Sequence, residues 1–437
     1  KYKNYLDRNC DQVTKMASLT SNVATMMHLL KGNIGTGILA IPHSFTYSGL
    51  TVGTVMLSII GIVAIHCMHQ LVNCQRVLCD RFKTVFLDYD EVAEKAFNVG
   101  PTFLRRFSTV AKRTVTVFLL ITQFGFCCVY SLFVAVNIQT FIKNLANIDL
   151  DVHIWMLIEL PFMILFCYIR QLNRLAVAST IANVLQVIGI IIVFSNLFSD
   201  LPPTWTRPQT APISRFPLFF GTAIYAFEGI GIILPLKKEM KEPSAFGGLN
   251  GVLNTGMVLV TCLYVSFGFY GFLRFGPTDQ PTITLDLPAT PLNHSVQLLF
   301  AVAIFLSYAL QLYVPITILW PYLVDKYNLD TADYKTTIYD YAFRTILVCI
   351  TFMIAGAIPE LDAFISLVGA LSSSCLALVF PPIIEIATYW DNDWGKKKKY
   401  LFFTKNCLII LMGFLGFVTG TYASIEDIYH RLTQRKK

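Results

Sequence analysis

Apolar residues fall into eleven long stretches, and polar residues collect between them. The stretches run near 21–47, 50–75, 114–142, 153–170, 175–198, 216–236, 247–273, 294–324, 341–358, 361–387 and 404–425. A helix crosses a bilayer in roughly 20 apolar residues, so each is read as one crossing. The 294–324 stretch is long enough to tilt or to extend beyond the bilayer. The expected fold is all-α and polytopic, with eleven transmembrane helices.

Two of the stretches are interrupted. Gly32-Asn33-Ile34-Gly35-Thr36-Gly37 lies inside the first, with Pro42 following. Three glycines and an Asn make a poor helix interior. Facing lipid, they would leave backbone groups unsatisfied. One reading is a helix broken where it lines a cavity; the other is a small-residue patch for close packing. The sixth stretch carries the same device, Gly229 and Gly231 followed by Pro235. The first runs outward and the sixth inward. Interrupted helices at matching places in two halves favour the broken-helix reading and point to inverted repeats. The repeats would be 21–198 and 216–387, with an eleventh helix at 404–425.

Composition supports the membrane reading. The chain is 55% hydrophobic and 14% charged, with mean hydropathy +0.58, against about 25% charge in soluble domains. The net charge of +7 reflects loop distribution rather than nucleic-acid binding. Alternate segments starting with the N-terminus hold 24 Lys and Arg, and the opposite loops hold Lys143, Arg207, Arg215 and Arg274. This bias places the 1–20 segment and the large 76–113 loop in the cytoplasm. An odd number of spans then puts the 426–437 tail outside or in a lumen, although its basic residues run against the rule. Residues 1–20 show no signal-peptide core, and the true N-terminus is expected upstream of Lys1. In the 76–113 loop, Asp88 and Glu91 read as the cap of a short interfacial helix. Lys396 to Lys399 beside Trp390 and Trp394 read as a headgroup anchor. Asn293-His294-Ser295 is the only glycosylation sequon, close to the start of a span. No CxxC or Cys/His spacing suggests a disulfide, metal site or cofactor. No nucleophile–base pairing or phosphate loop supports an enzyme.

Ionisable residues inside a membrane mark function. His28 lies one turn before Gly32, Lys31 is its neighbour at i+3, and Glu228 abuts the second break. If the breaks meet, Lys31 and Glu228 are expected to approach each other, the ammonium taking the place of a sodium ion. The alternative for Lys31 is snorkelling to the interface. His28 either carries a proton or bonds a backbone carbonyl. His66 and His69 read as interfacial. Glu159 is a lone acid in the fourth stretch with no visible partner.

His28 through Gly37 with Pro42 resembles the first-helix signature of proton-coupled amino acid transporters, a group of the amino acid/auxin permease family. Val63 to His69, Ile121 to Tyr130, Pro217 to Pro235, and Gly369 to Ser374 leading to Pro381-Pro382 agree with it. The likeness spans about residues 25 to 428 and is closer to insect members. It implies a LeuT-like fold and symport of small neutral amino acids with protons, without sodium, with His28 in proton coupling. It also implies residence at the plasma membrane or at late endosomes and lysosomes, and growth-signalling partners for some members. Mammalian relatives carry an outer-loop cysteine pair. The 143–153 and 274–293 loops here have no Cys, so that disulfide does not carry over.

The expected mechanism follows. The substrate carboxylate meets N–H groups around Gly35, Thr36 and Gly37 at the positive end of the outer half-helix. Gly32 and Asn33 complete that turn. The ammonium meets carbonyls freed around Tyr225 to Glu228, beside Gly229. Tyr225 and Phe227 shape the side-chain pocket, and Tyr130 closes over it. The alternatives are an amino acid sensor with little flux and a sodium-coupled carrier.

Overall fold

The computed structural model describes residues 20–170, 172–330 and 333–435. The expected N-terminal segment, apart from Thr20, and the last two lysines lie outside the described residues. The helices in chain order are α1 (Asn22–Asn33), α2 (Thr36–Ser44), α3 (Leu50–Phe82), α4 (Tyr89–Val99), α5 (Ser108–Ala146), α6 (Val152–Cys167) and α7 (Leu172–Leu197). Then come α8 (Phe216–Ala226), α9 (Ile230–Lys238), α10 (Val252–Phe275), α11 (Pro291–Tyr327), α12 (Tyr334–Ala357), α13 (Leu361–Thr388) and α14 (Lys396–Arg435). Among the described residues, nine segments are long and apolar enough to cross a membrane, the one over Ile213–Lys238 holding both α8 and α9. The other two expected crossings fall short of that measure for different reasons. The first is divided between α1 and α2, and α6 has only 16 residues.

The middle of α13 is π-helical over Gly369–Ser373 and Cys375–Val379. A wider turn leaves carbonyls poorly paired, and such bulges recur at functional sites. One of them is served from the 76–113 loop: the Tyr89 hydroxyl donates to the Leu376 carbonyl at 2.7 Å. Tyr89 opens α4, whose Asp88/Glu91 capping box forms as expected. Val92, Ala93 and Ala96 are buried on the same helix, which packs on α5 and α13. The loop helix is therefore part of the bundle.

The C-terminal end corrects one expectation. Residues 426–437 were expected to be a short tail, yet α14 continues to Arg435. Its apolar pattern stops near 425, but Asp427 and Arg431 pair at i,i+4 (3.0 Å), and Arg431 reaches back into the bundle. Its guanidinium meets both oxygens of Asp362 at 3.0 and 2.7 Å and Glu360 at 3.4 Å. Asp362, only 6% exposed, also accepts from the Tyr47 hydroxyl at 3.0 Å and lies 3.3 Å from His43 Nε2. This cluster joins the end of the first stretch, the start of α13 and the last turns of α14. At the other end of the bundle, Thr20 exchanges backbone bonds with Glu239 and Lys241 at 2.8 and 3.0 Å, tying the start of α1 to the end of α9.

The sequon asparagine lies inside the fold. Asn293 is buried, and its amide donates to the Asn196 side chain at 3.1 Å and to the Pro288 carbonyl at 2.9 Å. A glycan would need that nitrogen in solvent, so Asn293 is a structural amide in this fold.

Removing Arg431 strands Asp362 in a buried site. Breaking such a pair costs about 3–5 kcal/mol when fully buried, and partial exposure of the guanidinium reduces this to about 2–3 kcal/mol. R431A is expected to lower the melting temperature in detergent, with R431K intermediate and R431A/D362N partly restored.

Candidate functional site

Both interrupted helices break where the glycines stand, and the two breaks face each other. The first gap is Ile34-Gly35 and the second is Phe227 to Gly229. The first N–H groups of α2 and α9, and the last carbonyls of α1 and α8, have no partner within their own helices. Tertiary contacts supply several. The Tyr264 hydroxyl, from α10, lies 2.5 Å from the Asn33 carbonyl and 2.9 Å from the Ala226 carbonyl. One proton is thus shared between the ends of α1 and α8. Thr36 Oγ1 and the Tyr225 hydroxyl are 2.9 Å apart, which links the start of α2 to α8. Asn33 Nδ2 donates back to the Leu29 carbonyl at 2.9 Å.

Glycine is needed at two of these positions for closeness alone. A Cβ on Gly37 would lie 2.7 Å from the Ala226 backbone, and one on Gly229 would lie 2.7 Å from the Asn33 amide oxygen. Close packing therefore accompanies the breaks at Gly37 and Gly229.

The breaks enclose a cavity of about 20 Å³, room for little more than one water. Gly32, Asn33, Gly35, Thr36, Gly37, Tyr130, Tyr225 and Glu228 line it. Tyr130 lies over the first break, its hydroxyl 3.2 Å from where a Gly35 Cβ would stand. Phe126, Ala226 and Gln311 also line it. Gln311 donates to the Tyr130 hydroxyl at 3.3 Å. Its signal in the sequence was weak, since it is one of two amides, with Gln297, inside the long 294–324 stretch. Tyr264 had no signal, because one tyrosine among 34 Phe and 20 Tyr does not stand out.

Other expected residues lie elsewhere. Phe227 is fully buried but packs on Tyr264, with ring centroids 5.0 Å apart, and does not line the cavity. Gly229 packs on Asn33 instead of facing the cavity. His28 is exposed on α1, outside the cavity. Lys31 is half-buried and forms no ion pair with Glu228 among the described residues. The reason is helical phase: residues two apart point to different faces, and it is Asn33 that faces the second break. The Ala226 carbonyl, expected to receive an ammonium, is held by Tyr264.

Glu228 is 7% exposed, and its Oε2 has no hydrogen-bond partner. The Ser373 hydroxyl, from the π-helical part of α13, lies beside its carboxyl. The cavity thus combines the start of α2, whose first N–H groups have no partner within the helix, with one acid that has no ion-pair partner among the described residues.

Y264F would leave the Asn33 and Ala226 carbonyls without their donor. Each unsatisfied buried group costs about 1–3 kcal/mol, so the variant is expected to melt well below the parent in detergent. G37A is expected to do the same by forcing α2 and α8 apart, whereas F227L is expected to be milder.

The family model described as "Transmembrane amino acid transporter protein" matches residues 19–426. The chain is similar to the Drosophila melanogaster "Proton-coupled amino acid transporter-like protein pathetic", 36% identical over 94% of this chain and 85% of that protein. It is similar to the Caenorhabditis elegans "Probable amino acid transporter skat-1", 27% identical over 94% of this chain and 90% of that protein. In fold it is similar to the inward-facing conformation of Mhp1, with TM-score 0.52 and 13% identity, covering 96% of this chain and 92% of that one. An integral membrane chain with paired helix breaks, matched over nearly its whole length, belongs to the transmembrane amino acid transporter family, the amino acid/auxin permeases.

Proposed function

We propose that this chain symports small neutral amino acids with protons by alternating access. The observation that carries the reading is the small cavity between two helix breaks, with the start of α2 on one wall and Glu228, which has no ion-pair partner among the described residues, on another. The N–H groups at the start of α2 suit a carboxylate. Phe126, Tyr130 and Tyr225 crowd the space, which suits a small substrate. The cavity must widen to admit one, and the contacts available for opening are the Thr20–Glu239 backbone bond at one end and the Arg431–Asp362 cluster at the other.

Two groups compete for the proton. Glu228 is buried at the cavity, where an unpaired charge is costly and a proton removes the cost. His28 stands exposed on α1. The geometry favours Glu228, and the resemblance favours His28.

The scaffold is read as eleven spans, five plus five inverted and one added, with α1–α2 and α6 as the two short crossings. Loop charge puts the N-terminus in the cytoplasm. The contact of Arg431 with Tyr47, 3.4 Å, supports ends on opposite faces, as an odd count requires. The plasma membrane and the late endosome or lysosome both remain hosts under this reading.

The test is uptake of labelled alanine, proline and glycine into proteoliposomes under an inward proton gradient without sodium. Accumulation is expected, with collapse when the gradient is dissipated. E228Q is expected to abolish accumulation while allowing exchange, and H28A to retain it; the reverse pattern would move the proton to His28. Binding without uptake would support a sensor, and rescue by sodium alone would replace the proton.

A further inference from the structure

The end of α3 turns back beside a basic pocket that lies outside the substrate cavity. Lys83 ends the helix in the left-handed conformation, φ 53°. The Thr84 N–H then donates to the Cys79 carbonyl at 3.1 Å, which folds the chain back along the last turns of α3. Thr84 is exposed and lies outside any helix. It lines a pocket of about 370 Å³ together with Arg76 and Asp80 of α3 and with Lys237 and Lys238 at the end of α9.

Charge selects what fits there. Arg76, Lys237 and Lys238 share the lining with one acid, Asp80, and none of the four forms an ion pair among the described residues. Lys237 Nζ donates to the Gln75 side-chain oxygen at 2.7 Å, and Lys238 Nζ stands 4.7 Å from the centre of the Phe86 ring. An ammonium has three donors, so both keep donors to spare. The lining therefore holds a surplus of two positive charges beside a hydroxyl. A phosphomonoester carries about −1.5 to −2 charge near pH 7 and three acceptor oxygens. It matches that surplus, and guanidinium and ammonium donors suit its oxygens.

The local sequence suits the enzyme that would attach it. Arg81 and Lys83 precede Thr84 by three residues and by one, a charge pattern that an acidic kinase groove selects. Arg81 donates to the Thr388 carbonyl at 3.1 Å, but it stands in the last turn of α3, and helix ends open at little cost. On the topology proposed above, this turn is cytoplasmic, on the side of ATP and of kinases.

We propose that Thr84 is a phosphorylation site whose phosphate docks among Arg76, Lys237 and Lys238. The Thr84 Oγ1 attacks the γ-phosphorus of ATP on a basophilic kinase. The Oγ1–P bond forms and the bond from that phosphorus to the bridging oxygen breaks. ADP leaves with the electron pair, and the hydroxyl proton passes to a base of the kinase. The docked phosphate ties the turn after α3 to the last turn of α9, the half-helix that begins at the second break.

The test uses the full chain purified in detergent, where both faces are open to reagents, so its outcome depends neither on topology nor on transport. Incubation with ATP, Mg²⁺ and the catalytic fragment of protein kinase C, then peptide mass spectrometry, is expected to place a phosphate on Thr84. T84V is expected to lose it. Docking is read from the rate at which a broad-specificity phosphatase removes that phosphate. R76Q and K237Q are each expected to speed removal about three- to tenfold, the worth of one partly exposed charged contact. R113Q, outside the pocket lining, is expected to leave it unchanged. The parent chain is also expected to melt higher when phosphorylated than after phosphatase treatment, a comparison that needs no variant. Inorganic phosphate is expected to leave melting of the unmodified chain unchanged; an equal rise would make the pocket a site for free phosphate and overturn the proposal. An unmodified Thr84, or removal indifferent to R76Q and K237Q, would overturn it too.

Discussion

A helix that breaks inside a bilayer must have its freed backbone groups satisfied by protein, because hydrocarbon offers no partner. Much of this structure follows from that constraint. Tyr264 places one hydroxyl between the ends of α1 and α8. Thr36 and Tyr225 close the other diagonal, and Gly37 and Gly229 let the backbones come near enough for these bonds to form. The N–H groups at the start of α2 have no partner within their own helix. The site is therefore what is left over once the break has been made tolerable.

The same economy sorts the buried charges. At the ends of the bundle, buried acids have cations. Asp362 is paired with Arg431, Asp340 with Arg344 and Arg170 at 3.1 and 2.9 Å, and Glu385 with Lys405 at 2.9 Å. Near the middle, Glu228 and Glu159 have none. Paired acids hold helices together, as the reach of Arg431 across three segments illustrates. Unpaired ones are costly to keep, and each lines a cavity. One faces the helix breaks. The other lies near the middle of α6.

Side-chain phase explains which site residues were readable. Gly32 to Gly37, Tyr225 and Glu228 are written into the interruptions themselves, so their place at the cavity followed from the breaks. Lys31 and Phe227 sit beside the same interruptions but point away, Lys31 because Asn33 takes the facing side and Phe227 because it packs on Tyr264. Gln311, Phe126 and Tyr264 come from α11, α5 and α10, far away in sequence, and only packing brings them in. Asn293 matched a modification motif, yet its partner Asn196 lies on another helix. A motif reports residue types, and burial decides whether they are available.

The sequence by itself determined the membrane class, the near-periodic run of helices, the two interrupted stretches and the capped helix of the 76–113 loop. These depend on local composition and on backbone chemistry that hydrocarbon enforces wherever it acts. Only the tertiary structure decided that the breaks face each other, that Tyr264 serves both, that Glu228 stands without Lys31, and that α14 runs on to set Arg431 against buried Asp362. Those outcomes depend on which faces of distant helices meet, and the energy of such a meeting is recorded in no single stretch of the chain.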